Sequence, residues 1–328
     1  VRVFLTGGTG LLGTHLAEEL RRSGHEVVAL HRREADTLFL QEQECELVEG
    51  DVRDDPGTLV PLMDGCTHVV HSAALVYAGG AWPKIRAVNV DGTRNVLSAS
   101  SMAGIGHAVH VSSVAVYGSV DGPVSEDSPI DSDIAASDLY ARSKREAEDV
   151  ARGIEAARGL PVSIVRPCAV YGERDRLMIP GLRKILRVPV VPLPGGGVNT
   201  IPAVYAGNVA VAIRLVLEAG EGGATYDIGM DHPLTQRELL GYLSEGLGKR
   251  ASFVRVPAAL VMGGALVMET LGISAPGAKH LPLSRVARLV LNDNPYQSNR
   301  IREVLGWDPP FGHREALGRA GRWSRDHN

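Results

Sequence analysis

The chain has 328 residues, 44% hydrophobic and 22% charged, with a formal net charge of −4. This balance belongs to a soluble globular protein with ample core for one large or two smaller domains, and it lacks the basic field that nucleic acid requires. The three cysteines (Cys45, Cys66, Cys168) are scattered and lack ligand spacing, which argues against a disulfide framework or a metal site and leads us to expect a reducing, cytoplasmic compartment.

The chain opens directly into an apolar strand, "VRVFLTG", so no secretory leader is expected. "LLGTHLAEELRRSG" reads as an amphipathic helix closed by Gly24, and "HEVVALH" as a second strand. "CELVEGD", "THVVHSAA", "HAVHVSSV" and "PVSIVRP" continue the series, with helical patterns between most of them. Short apolar strands alternating with helices predict right-handed βαβ units and an α/β fold, a Rossmann-type doubly wound parallel sheet. After "RPCAVYG" (166–172) the rhythm loosens at Pro180, Pro189, Pro192, Pro194 and Gly195–Gly197. A strand-and-helix return is expected over 204–220 and at "ATYDIG", and a last helix near 312–324. The stretch 256–274 is the most apolar, but Gly263, Gly264 and Glu269 interrupt it. A helix lining an apolar cleft is expected there rather than stable membrane insertion, with a shallow membrane contact as the alternative. The expected division is a large first domain over 1–172, rejoined by 199–228, and a smaller, discontinuous C-terminal part over 173–198 and 229–328.

"FLTGGTGLLG" joins the first strand to its helix. Gly7, Gly10 and Gly13, with Gly8 as an alternative first member, satisfy the dinucleotide fingerprint, and Leu11 and Leu12 begin the helix whose N-terminus would face the pyrophosphate. The first domain is therefore expected to bind a dinucleotide, and the second part the substrate. Where an NAD-binding chain usually carries an acid, the second strand ends in His31, Arg32 and Arg33. A guanidinium suits a 2′-phosphate, so NADP is expected, with NAD as the alternative. Asp51 and Val52 would border the adenine, and Ser72, Ala73 and Ala74 would let backbone approach the cofactor.

The strand "HAVHVSSV" ends in Ser112 and Ser113, and "SDLYARSK" then places Tyr140 and Lys144 four apart on one helix face, capped by Ser137 or Asp138. A nearby ammonium stabilises a phenolate, so this pair can move a proton to or from a ketone oxygen near neutral pH. With "GDVRD", "HSAA", "NVDGTRN", "RPCAVYG" and "YQSNRIREVLGW", these motifs make nearly the whole chain resemble the extended short-chain dehydrogenase/reductase superfamily. The resemblance implies that Tyr140 transfers the proton, Lys144 also bonds the nicotinamide ribose, Ser113 polarises the carbonyl, and Asn89 supports the site. It gives Ser112 a cofactor or structural role and rests the nicotinamide against Pro167, Cys168 and Val170.

The details resemble the 3β-hydroxysteroid dehydrogenase and dihydroflavonol reductase branch. Val114 and Ala115 follow the serine where dehydratases carry an Asp-Glu pair, Ala169 replaces an asparagine common in sugar-nucleotide enzymes, and "VYAGNVA" replaces "VHVDDVA". The expected activity interconverts an apolar, ring-containing ketone and a secondary alcohol. Val76, Tyr77, Trp82, Val114, Met178 and Tyr205 are the candidate substrate walls. A nucleotide-sugar epimerase with tightly bound NAD(P) is the alternative, with Arg174, Arg176 and Arg183 in reach of a diphosphate. The expected partner is a small molecule, with a homodimer left open.

Overall fold

The computed structural model describes residues 1–76, 81–118, 120, 122–130, 134, 138–270 and 291–327. The chain forms two compact units: one of residues 1–170, 206–231 and 296–310, and one of residues 171–205, 232–295 and 311–328.

The first unit is built on β1 (Arg2–Thr6), β2 (Glu26–His31), β3 (Glu46–Glu49), β4 (His68–His71), β5 (His107–Val111), β6 (Val162–Pro167) and the strand Thr225–Ile228. Between them run α1 (Leu11–Arg22), α2 (Leu38–Glu42), α3 (Pro56–Leu59), α4 (Trp82–Arg86), α5 (Gly92–Met102) and α6 (Leu139–Arg158). All seven strands are parallel, in the order Thr225–Ile228, β6, β5, β4, β1, β2, β3. The winding reverses beside β1, and a doubly wound sheet binds ligands at the carboxyl ends of its strands at that reversal. The central strands are buried on both faces because helices cover both, and Phe4, Val28, Val69, Val96, Leu97 and Ile154 share one core.

Local chemistry sets the helix ends. Arg21 and Arg22 in the last turn of α1 complement its dipole. In α6, the Asp138 carboxylate accepts from the Ala141 N–H at 3.0 Å, and Gly159, at φ +69°, ends the helix in the left-handed region. Register aligns Leu30, Thr6, His71, His110 and Ile164 in one row across five strands. Two histidines thereby stack beside Thr6 in the middle of the sheet, with ring centroids 5.5 Å apart.

The second unit pairs Val190–Pro194 with Ser252–Val256 in parallel and packs helices Met178–Ile185, Gln236–Gly246 and His313–Asp326 around Ile179, Leu193, Leu240, Leu243 and Leu317. Thr235 and Glu238 form a reciprocal capping box at the start of Gln236–Gly246. The apolar stretch forms the helix Ala258–Thr270. Among the described residues no helix is long and apolar enough to cross a membrane.

Candidate active site

The glycine loop follows β1 directly. Gly7 takes φ +75°, and a Cβ there would lie 2.7 Å from the Ala73 nitrogen. A Cβ at Gly13 would lie 1.9 Å from the Gly7 carbonyl oxygen, so only glycine lets α1 sit this close to the loop. Gly10 differs: a Cβ there would meet only the Gly7 oxygen, at 3.2 Å, so this position borders open space at the start of α1. No side chain caps that helix start and its first turn holds no acid, which leaves the N–H groups of a positive helix end available to an anion. Leu11 and Leu12, both half-buried, form that first turn. These residues fit the diphosphate of a dinucleotide.

At the end of β2, His31 is half-buried while Arg32 and Arg33 are exposed. With Glu49, Gly50, Asp51 and Arg53 the two arginines line a hollow of about 480 Å³. Arg33 pairs with Glu49 at 3.0 Å, and Arg53 pairs with Asp51 at 2.7 Å. The Arg53 bond, set against partial burial, holds the Asp51 carboxyl below its ordinary range. Among the described residues, Arg32 has no side-chain hydrogen bond or ion pair. Val52 is buried and its carbonyl accepts from the Asn95 amide at 3.2 Å. Beyond β4, the Ser72 N–H donates to the Thr6 carbonyl and the Ala73 N–H to the Thr6 hydroxyl. Ala74 follows, half-buried.

The residues expected to handle protons gather where β5 meets α6. The Ser112 N–H donates to the Val165 carbonyl at 2.7 Å, and its side chain is buried. Ser113 is extended, caps the short turn Val114–Tyr117, and its oxygen accepts from the Ala115 N–H at 3.2 Å. Val114 is buried in that turn. Tyr140 occupies the first turn of α6 and is half-buried. One turn on, Lys144 is buried and its Nζ donates to the Val111 carbonyl at 2.7 Å. Burial brings the Lys144 pKa down to about 8, against a smaller opposing pull from Glu148. Asn89 is buried: its amide nitrogen donates to the Leu75 carbonyl at 3.1 Å and to Ser143 Oγ at 2.8 Å, and its oxygen accepts from the Leu75 N–H at 2.7 Å.

Pro167 ends β6, and the Cys168 N–H donates to the Ile228 carbonyl at 3.0 Å. Burial pushes the Cys168 thiol well above its ordinary pKa, so it stays neutral, while Val170 is half-buried. Among the expected substrate walls, Trp82 begins α4 under the Arg142 guanidinium at 4.0 Å, and Val76 is exposed. Met178 opens its helix in the second unit, and Tyr205 lies in that unit's core with its hydroxyl donated to Glu173 at 2.9 Å. Tyr77 and Ser137 lie outside the described residues.

Several side chains beyond the expected site residues hold this arrangement. His71, Thr6, Thr93 and Ser143 join Asn89 in one buried hydrogen-bond chain. Glu148, one turn beyond Lys144, accepts from Nε and Nη2 of the Arg166 guanidinium at 2.8 and 2.6 Å. The i, i+4, i+8 spacing of Tyr140, Lys144 and Glu148 was a visible signal, since it puts all three along one helix face.

A doubly wound parallel sheet, a glycine-bounded helix start and a serine, tyrosine and buried lysine around one strand end define a dinucleotide-binding enzyme class. The sequence profile of the NAD dependent epimerase/dehydratase family matches residues 3–229, and the chain belongs to that family, the extended short-chain dehydrogenase/reductases. Curated relatives include members of the 3β-hydroxysteroid dehydrogenase and dihydroflavonol reductase branch. A 2-alkyl-3-oxoalkanoate reductase from Stenotrophomonas maltophilia is 31% identical over 76% of this chain and 76% of its own. A putative dihydroflavonol 4-reductase from Synechocystis is 30% identical over 99% of this chain and 94% of its own. Among solved structures, the dTDP-glucose 4,6-dehydratase DesIV from Streptomyces venezuelae, with NAD and TYD bound, is 28% identical with a TM-score of 0.74, covering 100% of this chain and 98% of that one.

Proposed function

We propose that this protein is an NADP(H)-dependent oxidoreductase that interconverts an apolar, ring-containing ketone and the corresponding secondary alcohol. The observation that carries the reading is Lys144: a buried ammonium bonded to the end of β5, one helical turn from Tyr140 and next in space to the strand end bearing Ser113. When bound, the nicotinamide supplies or accepts the hydride. The Lys144 charge favours the phenolate, Tyr140 Oη gives a proton to the carbonyl oxygen or takes it back, and Ser113 Oγ orients that oxygen. A buried valine, Val114, follows Ser113 where a dehydratase would need an acid, so proton transfer is confined to a single oxygen.

Arg32 supports NADP. Arg33 and Arg53 are each neutralised by a carboxylate at the same hollow, which leaves Arg32 as the cation with charge to spare for a 2′-phosphate. The oxoalkanoate reductase and dihydroflavonol reductase names support ketone reduction. The full-length likeness to DesIV supports a second reading, a sugar-nucleotide enzyme that recycles its cofactor.

The deciding experiment offers purified protein steroid-like and flavonoid-like ketones, 2-alkyl-3-oxoalkanoates, and UDP- and dTDP-sugars, and follows NADPH absorbance and sugar products. Net NADPH consumption with cyclic apolar ketones is the expected result. Preference for the acyclic oxoalkanoates would discard the ring requirement. Copurifying, non-exchanging cofactor with sugar epimerisation would replace the reductase reading. Arg32→Ala should weaken NADPH by about 1–3 kcal/mol and leave NADH unchanged, whereas Arg33→Ala should do less.

A further inference from the structure

Asn89 does not sit in an ordinary helix. Residues Ala87–Asp91 form a π-turn spliced between α4 and α5. Such a widened turn is rare and needs contacts that hold it. The Thr93 hydroxyl provides one by donating to the Asn89 carbonyl at 2.7 Å. Thr93 Oγ1 is in turn 3.0 Å from Nε2 of His71, and His71 Nδ1 is 2.7 Å from Thr6 Oγ1. All four residues are buried.

Proton counting gives this chain a direction. The Thr93 hydroxyl has one hydrogen, and the Asn89 carbonyl takes it, so Thr93 must accept from His71. His71 therefore carries its hydrogen on Nε2, and its Nδ1 accepts from the Thr6 hydroxyl. Thr6 Oγ1 can then accept from the Ala73 N–H at 3.3 Å. The imidazole stays neutral because burial, and then the Lys144 charge, brings its pKa down to about 3. His110 stacked on the ring fixes its plane, and its own pKa is also pushed well down by burial and Lys144. Lys144, His110 and His71 are thus the titratable groups that face one another here, and Lys144 alone carries charge at neutral pH.

We propose that His71 is a positioning residue for the proton-transfer site: as a neutral Nε2–H imidazole it holds Thr93, and through Thr93 the π-turn that presents the Asn89 carboxamide to Leu75 and Ser143. Ser143 Oγ passes the restraint on, donating to the Tyr140 carbonyl at 2.8 Å. The same imidazole ties this turn to the Thr6–Ala73 edge beside the glycine loop, so the dinucleotide side and the proton side share one rigid link. The proposal rests on the reading of Asn89 and Tyr140 given above.

Two substitutions separate the ends of the ring. In His71→Gln the amide nitrogen falls near Nε2 and keeps the donor to Thr93. In His71→Asn the amide falls near Nδ1, keeps a partner for Thr6 and loses Thr93. Turnover of the best ketone should survive within about threefold in His71→Gln and fall about tenfold or more in His71→Asn, with KM and NADPH affinity within about twofold. Thr93→Val, nearly isosteric, should match the asparagine variant, and combining the two should add little. Equal kcat in the glutamine and asparagine variants, or additive losses, overturns the proposal. Nitrogen-15 histidine spectra of the wild-type chain need no substrate: the His71 ring should show the Nε2–H form without titrating between about pH 5 and 8. A titrating or Nδ1–H ring overturns the proposal whatever the activity. A wild type that reduces no ketone but shows the Nε2–H ring defeats the functional reading alone.

Discussion

Two buried polar clusters of the first unit both depend on α6, and they treat charge in opposite ways. At Lys144 the ammonium has no carboxylate within ion-pair distance among the described residues; its bond goes to the Val111 carbonyl, and the nearby rings of His71 and His110 are neutral. One turn on, Glu148 meets Arg166 of β6, which is bonded at every nitrogen: Nε and Nη2 donate to Glu148, Nη1 donates to Tyr117 at 2.7 Å, and Tyr117 donates to Asp227 at 2.7 Å. The second cluster pairs its guanidinium fully, leaves only Asp227 Oδ1 without a hydrogen bond, and fastens Val114–Tyr117, α6, β6 and Thr225–Ile228 together. The first leaves its charge unneutralised, which costs stability and, on the function proposed above, keeps it available to the Tyr140 phenol. A charge under such strain is the pattern that singles out a candidate site over a well-paired cluster.

The contrast can be broken from either side. The largest effect is expected for Tyr140→Phe, which should cut turnover by about 10²–10⁴-fold while thermal unfolding and NADPH binding stay near wild type. If the variant keeps more than about a tenth of the activity, Tyr140 is not the proton donor. Glu148→Ala strands a buried guanidinium and should cost about 3–5 kcal/mol by denaturant unfolding. Lys144→Met should do the reverse, abolishing turnover while leaving unfolding stability no lower. The drop of its pKa from 10.5 to about 8 corresponds to about 3 kcal/mol of burial cost at neutral pH, more than the ~1 kcal/mol of a lost hydrogen bond. A marked loss of stability in Lys144→Met would remove the distinction between the two clusters.

The smallest effects are in pH. Because Lys144 is deprotonated above about pH 8 in the fold but only above 10.5 when unfolded, stability should rise with pH across that window. Reductive turnover should fall over the same range, since the neutral amine no longer supports the phenolate. Asp227 has the opposite sign. Burial raises its pKa to about 7, partly offset by the Tyr117 bond, so the fold binds the proton first and loses that stability as pH rises from 3.8 through 7. Asp227→Asn should gain on wild type between those values, measured by unfolding at several pH values. A constant difference between the two would show that Asp227 stays ionised.

Much of the site was readable from local pattern. Glycine spacing, apolar strands and Tyr-x-x-x-Lys are each short-range signals, set by turn geometry, burial and helical pitch, and they identified the parallel sheet, the α1 N-terminus and the faces of α6. The helix start at Ser137 or Asp138 and the strand Thr225–Ile228 were equally visible, because a cap and an apolar run act within a few residues, and the structure chooses Asp138 as the cap. Pairing of distant residues was not. Nothing near Arg33 in sequence says that Glu49 neutralises it, since the strand register that brings β2 beside β3 decides it, whereas the Asp51–Arg53 pair, two residues apart, is local. Nor does "HVVHSAA" reveal that His71 and His110 stack, or that Thr93 reaches back to a π-turn, because these contacts join residues 22 to 65 apart or depend on a helix irregularity with no sequence period of its own. By itself the sequence determined which residues can do chemistry and on which local element each lies. Only the tertiary structure decided which charges are neutralised and which stay exposed to one another, because that depends on burial and register, properties of the packed sheet rather than of any stretch of chain.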